Sequence, residues 1–291
     1  MEPLTGPALW LRLVVIGALW GSAFPLIRFL AAYLPPFALA GVRGALAAVA
    51  VLAFLWMRRE LGGFTRGVAW AALVLGVLSG VVPNTLIPLG LMRMEAAPAS
   101  LVQAAGPLIV TLLAAACLPG EMPTRRMLGG VALGFLGIAL VIGPGGLSGS
   151  GSLAGAALIL GAAFSYAVST VWLRRTPRGQ PAPLALGQQA VSGVLSGSLA
   201  MAVDGPGALA QPAEVWIVAV VLAIFATAVP LTMFIGLVAR ARTADSAMVS
   251  YLQPVFATII AVAWLGEVPS WRVVAGGAVV LASVWLVTTR R

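Results

Sequence analysis

Apolar residues in this chain do not alternate with polar ones. They run on for about 20 positions at a time, the length that carries an α-helix across roughly 30 Å of hydrocarbon. Ten such runs are predicted, at residues 9–30, 36–56, 66–90, 97–118, 125–143, 153–173, 183–203, 213–238, 243–265 and 269–288. The connections are short, and the longest, Gly143–Ser152, is a Gly/Ser-rich stretch that reads as a flexible linker. The expected fold is all-α: a polytopic membrane protein of ten transmembrane helices.

The pattern repeats. Shifted by 147 places, Val82-Pro83 falls on Val229-Pro230, Thr85 on Thr232, Arg93 on Arg240, Ala97 on Ala244, Val102 on Val249 and Pro107 on Pro254. The register slips by one residue at Pro119 and resumes, so that Gly120-Glu121 answers Gly266-Glu267 and Arg126 answers Arg272. Two like halves, 1–143 and 153–291 about a linker at 144–152, mark a transporter-type architecture. Each half has five spans, an odd number, so the second must enter the bilayer from the opposite side. The repeat is expected to be inverted.

Composition agrees, with 61% hydrophobic and 9% charged residues against roughly 25% charged in a soluble domain. The net charge of +9 comes from arginine alone, with no lysine or histidine. These arginines sit in inter-helix loops and not on one face, which argues for lipid contact and against nucleic acid. With the N-terminus in the cytoplasm, thirteen lie on the cytoplasmic side and three (Arg28, Arg93 and Arg272) on the other. Both termini are therefore expected in the cytoplasm. No cleavable leader is predicted in the first 25 residues. Cys117 is the single cysteine, so neither an internal disulfide nor a metal site is expected, and no cofactor. Eight of the nine tryptophans fall near predicted span ends, where indole favours the interface; Trp20 falls mid-span. Glycine pairs four residues apart (Gly17/Gly21, Gly76/Gly80, Gly130/Gly134, Gly193/Gly197) would allow close helix approach.

Chemistry must come from few groups. The eight carboxylates all lie at predicted helix ends or in loops, and Asp245 reads as a helix cap. With none near mid-depth, a proton relay through a buried carboxylate is not expected. Arg43 is the one charge clearly inside a span, and serves either to pair with backbone or to contact a substrate carboxylate. Pro83, Pro107, Pro230 and Pro254 form symmetric pairs that free backbone carbonyls and could act as hinges. Near them lie uncharged polar groups. Asn84, Gln103, Gln189 and Gln253, with Trp20, Tyr166 and Tyr251 as an aromatic wall, are the candidate substrate-binding residues beside Arg43.

The tryptophan–glycine of the first span (Ala18-Leu19-Trp20-Gly21-Ser22), Arg43 in the second, and the prolines of the fourth and ninth followed by Gly-Glu resemble the drug/metabolite transporter superfamily, EamA-type branch. The resemblance covers about 14–141 and 153–287, and the chain is similar to bacterial aromatic amino-acid exporters. It implies an inner-membrane, alternating-access exporter of small neutral or zwitterionic metabolites, with substrate and lipid as partners and a monomer as the expected state. The sixth span departs from the pattern, with Ala163-Phe164-Ser165-Tyr166 in place of tryptophan–glycine, so an asymmetric pocket is expected. A phosphorylated-sugar or nucleotide-sugar exchanger would want several buried cations, and one arginine with no lysine disfavours it. A membrane-embedded enzyme is disfavoured because Glu121 and Glu267, as inverted equivalents, should face opposite sides of the membrane. A passive channel is left open.

Overall fold

Proline decides where the predicted spans break. A proline has no N–H to donate, so it fits best in the first turn of a helix, where no partner is required. In the computed structural model, which describes residues 6–118, 124–147, 151–175, 181–238 and 249–288, most intramembrane prolines open a new segment. The first span is α1 (Gly6–Gly21) and α2 (Ala23–Leu30), with Pro25 in the first turn of α2. The second is one helix, α3 (Pro36–Met57). The third is α4 (Arg66–Gly76), a π-helical turn at Val77–Val81, and α5 (Val82–Leu91), whose second residue is Pro83. The fourth is α6 (Ala96–Gln103) and α7 (Gly106–Cys117), broken ahead of Pro107.

The fifth span, α8 (Arg125–Leu147), loses helical geometry at Gly143, which sits at φ 69°. The next helix, α9 (Gly151–Arg175), begins inside the Gly/Ser stretch, of which 148–150 lie outside the described residues. Then come α10 (Pro181–Val203), α11 (Ala213–Ala223), a second π-helical turn at Ile224–Ala228, and α12 (Val229–Val238). The chain ends with α13 (Val249–Leu265) and α14 (Trp271–Thr288). No strand occurs among the described residues.

Six of these stretches, from Pro7–Leu30 to Ala213–Phe234, are long and apolar enough to cross a membrane alone. Leu128–Gly143, Leu252–Leu265 and Trp271–Ser283 are shorter apolar helices. The remaining one, α10, is 23 residues long and carries Gln188, Gln189, Ser192 and Ser196.

The two π-turns are 147 residues apart, and each is followed by Val-Pro. The duplicated sequence thus yields the same irregularity twice. The Pro107/Pro254 pair behaves differently: Pro107 opens a segment, whereas Pro254 lies inside the continuous α13. Both are prolines, but only the first has Gly106 before it to relax the break; the second half has Gln253 there.

Packing gives the inversion directly. Gly41 of α3 meets Ser196–Gly197 of α10, and Gly44 meets Ser192–Gly193, so the second and seventh spans run antiparallel. Gly134 meets Ser283 and Gly137 meets Gly276 and Val280, so the fifth and tenth do the same. Equivalent spans of the two halves oppose each other, as only an inverted repeat allows. These seams carry little side-chain bulk: a Cβ added at Gly44 would lie 2.5 Å from the Gly193 nitrogen. Glycine is required there because backbone occupies the space.

Candidate functional site: a polar centre around Arg43

The tight seam between α3 and α10 brings Arg43 to the two broken spans. Its Nε donates to Thr227 Oγ1 at 3.0 Å and its Nη1 to Asn84 Oδ1 at 3.1 Å. Thr227 belongs to the second π-turn and donates in turn to the Leu222 carbonyl at 2.9 Å. Asn84 follows Pro83 just after the first π-turn and donates to Ser192 Oγ at 3.4 Å. One guanidinium therefore ties together the irregular segments of both halves. Such segments expose backbone carbonyls that hydrocarbon cannot satisfy, so they are placed where polar side chains gather.

The first π-turn is held from α9. Ser165 Oγ donates to the Leu78 carbonyl at 2.7 Å, and Ser79 Oγ to Ser169 Oγ at 2.6 Å. Tyr166, on the same helix, lies close enough to Arg43 for the two to interact electrostatically. On α10, Gln189, Ser192 and Ser196 recur at helical spacing on one buried face. Around this centre several buried polar atoms have no partner among the described residues: Gln189 Oε1, Ser196 Oγ and Thr85 Oγ1. Arg43 is half-buried and forms no ion pair among the described residues. A guanidinium has five N–H groups, and the described residues take up two of them.

Of the residues singled out in the sequence, the structure gathers Arg43, Asn84 and Tyr166, with Gln189 one turn from Ser192. Pro83 and Pro230 flank them by placing the π-turns. Trp20 lies apart, its ring tilted against Phe234 at 5.0 Å beside the buried Leu13, Ile16 and Leu237. Gln103 ends α6 at the break in the fourth span, with its Oε1 buried and unpartnered. Gln253 presents its backbone carbonyl to Gly21, 2.6 Å from where a Cβ would stand. The Tyr251 side chain, like Glu121 and Asp245, lies outside the described residues. Sequence reasoning passed over Ser79, Thr85 and Ser192, small residues whose signal is only their place on the faces of Asn84 and Gln189.

A second polar cluster sits at the end of the bundle where α2 and α5 finish. Glu267, in the loop before α14, is 6% exposed. Its carboxylate accepts the backbone N–H groups of Ala96 at 2.8 Å and Ala97 at 3.0 Å, capping α6 of the other half. It also pairs with Arg28 Nε at 3.2 Å, while Arg28 Nη1 donates to the carbonyls of Leu91 and Met94. A cavity of about 570 Å³ opens beside this cluster, and none of its lining residues belongs to the Arg43 centre.

The profile of the EamA-like transporter family matches residues 8–143 and 153–289. No curated protein matches the chain significantly. Among solved structures, one titled only "Crystal structure of protein" superposes with a TM-score of 0.69 at 21% identity, covering 97% of this chain and 96% of that one. That likeness is one of fold.

Proposed function

The chain belongs to the EamA-like transporter family, and from that premise we propose that it is an alternating-access carrier exporting small zwitterionic metabolites, amino acids with aromatic or other apolar side chains above all. The single observation that carries the substrate class is Arg43: a cation at the junction of the two halves whose side-chain partners among the described residues are neutral and engage two of its five N–H groups. A substrate carboxylate supplies the missing acceptor and the missing charge. Gln189, Asn84 and Thr85 offer neutral acceptors and donors for the rest of the polar end, and Tyr166 an aromatic surface for the side chain. The π-turns and their prolines, on which Arg43 pulls from both sides, serve as hinges.

Transport under this reading runs down the substrate gradient. The acidic residues described within the helical bundle stand at helix ends, so protons have no carboxylate to ride at mid-depth. The arginine-rich connections support a bacterial inner-membrane reading in which both termini lie on the cytoplasmic side. Counterflow in proteoliposomes tests the proposal: preloaded phenylalanine is expected to drive uptake of labelled phenylalanine with no ion gradient. Arg43→Gln should abolish it, and Arg43→Lys should restore only part, because an ammonium keeps the charge and loses the planar fork. Equal counterflow in Arg43→Gln would remove the carboxylate anchor. Equal rates for 3-phenylpropionate, phenethylamine and phenylalanine would remove the zwitterion.

A further inference from the structure

The cavity at the Arg28 end carries a charge that the transport reading leaves unused. Its lining includes Arg28, Phe29, Leu91, Glu95, Leu265 and Glu267. Two of these charges are spent on each other, since Glu267 pairs with Arg28 and caps α6. Glu95 stands at the N-terminal cap position of α6, but its side chain makes no capping bond, because Glu267 from the other half has taken both N–H groups. The Glu95 carboxylate is exposed and has no hydrogen bond or ion pair among the described residues. The cavity therefore holds one uncommitted negative charge.

Its wall includes one aromatic ring. Phe29 lines the cavity and packs at a tilt on Tyr33 at 5.2 Å and on Trp264 at 5.4 Å, which restrains the ring. A carboxylate and an aromatic ring lining one cavity are the chemistry that takes a substituted ammonium, through direct charge attraction and through the negative face of the ring. A volume of about 570 Å³ lies within the range of small-ligand sites.

We propose that this vestibule binds organic ammonium groups, with the cation between the Glu95 carboxylate and the Phe29 ring and the apolar body against Met92 and Leu265. The site is separate from the Arg43 centre and stands whether or not the carboxylate anchor there holds. Two sources share the chemistry: a soluble amine or amino acid, and the headgroup of an ethanolamine lipid.

The test is equilibrium binding of labelled phenethylamine to the full chain in nanodiscs of phosphatidylglycerol, with phenylalanine and 3-phenylpropionate as competitors. Phenethylamine is expected to bind, phenylalanine to compete, and 3-phenylpropionate to fail. Glu95→Gln should weaken phenethylamine at least tenfold and Phe29→Leu severalfold, whereas Glu95→Asp retains binding and controls for folding. Rising salt should weaken the wild type but not what remains in Glu95→Gln. If phosphatidylethanolamine in the disc displaces phenethylamine in a Glu95-dependent way, the site is an ammonium site filled by lipid. Undiminished binding in Glu95→Gln overturns the proposal, as does binding lost in Arg43→Gln but kept in Glu95→Gln.

Discussion

Replacing Glu267 with alanine removes at one stroke both caps of α6 and the partner of Arg28. The magnitude follows from the geometry. Two hydrogen bonds from backbone N–H to a buried carboxylate are lost, at 2.8 and 3.0 Å, each worth about 1.5–3 kcal/mol. The Arg28 pair adds little, because the Arg28 side chain is 33% exposed and keeps its two carbonyl acceptors, so about 1 kcal/mol is a ceiling. Water relieves part of the loss at the bundle end, and a net destabilisation of about 3–5 kcal/mol is expected. Glu267→Gln keeps one acceptor oxygen and should cost about 2 kcal/mol. The assay is reversible unfolding of the purified protein in mixed micelles by increasing dodecyl sulfate, followed by circular dichroism. A double-mutant cycle with Arg28→Ala should return a coupling of about 1 kcal/mol. Glu95→Ala, which deletes an exposed carboxylate with no partner among the described residues, is the internal control and should stay within about 0.5 kcal/mol of wild type. If Glu267→Ala is as mild as Glu95→Ala, the cap contributes nothing and the reasoning fails.

Gly44→Ala places a Cβ 2.5 Å from the Gly193 nitrogen and should cost about 1–3 kcal/mol in the same unfolding assay, whereas Gly197→Ala, with nothing within 4 Å, should be nearly neutral. Pro83→Ala and Pro230→Ala return an N–H donor next to each π-turn; stability should hold or rise while counterflow falls by about an order of magnitude, and unchanged counterflow would remove the hinge role. An imposed pH gradient at clamped voltage should not drive substrate above its own equilibrium, and accumulation would show a proton path that the placement of the carboxylates does not provide.

Much of the architecture was legible because hydrocarbon imposes it. Spans had to be about 20 residues and apolar, and an odd number per half forced the inversion. The duplicated Val-Pro told that both halves break alike, though not that the break is a π-turn, since this depends on how Leu78 and Leu222 carbonyls find hydroxyl donors. Arg43 was legible as the one charge inside a span, and its surroundings were half legible: Asn84 as a polar residue near a proline, Ser192 behind it not at all. Trp20 was legible as a mid-span indole but not its surroundings, because such a ring can as well fill an apolar wedge beside Phe234 as line a pocket. Glu267 was placed in a loop, and its burial was invisible because its partners lie 170 and 171 residues away. Periodicity reports which face of a helix is buried, not which distant loop lies over it.

That separation sets a timetable for the chain's own synthesis. The N–H groups of Ala96 and Ala97 enter the membrane early, and the carboxylate that caps them is 171 and 170 residues downstream. At roughly 5–20 residues per second, the ribosome takes about ten to thirty seconds to deliver it. Through that interval the first five helices sit in the lipid with one end of α6 open, and water or the insertion machinery must stand in for a residue not yet made. The last loop to leave the ribosome completes the first half.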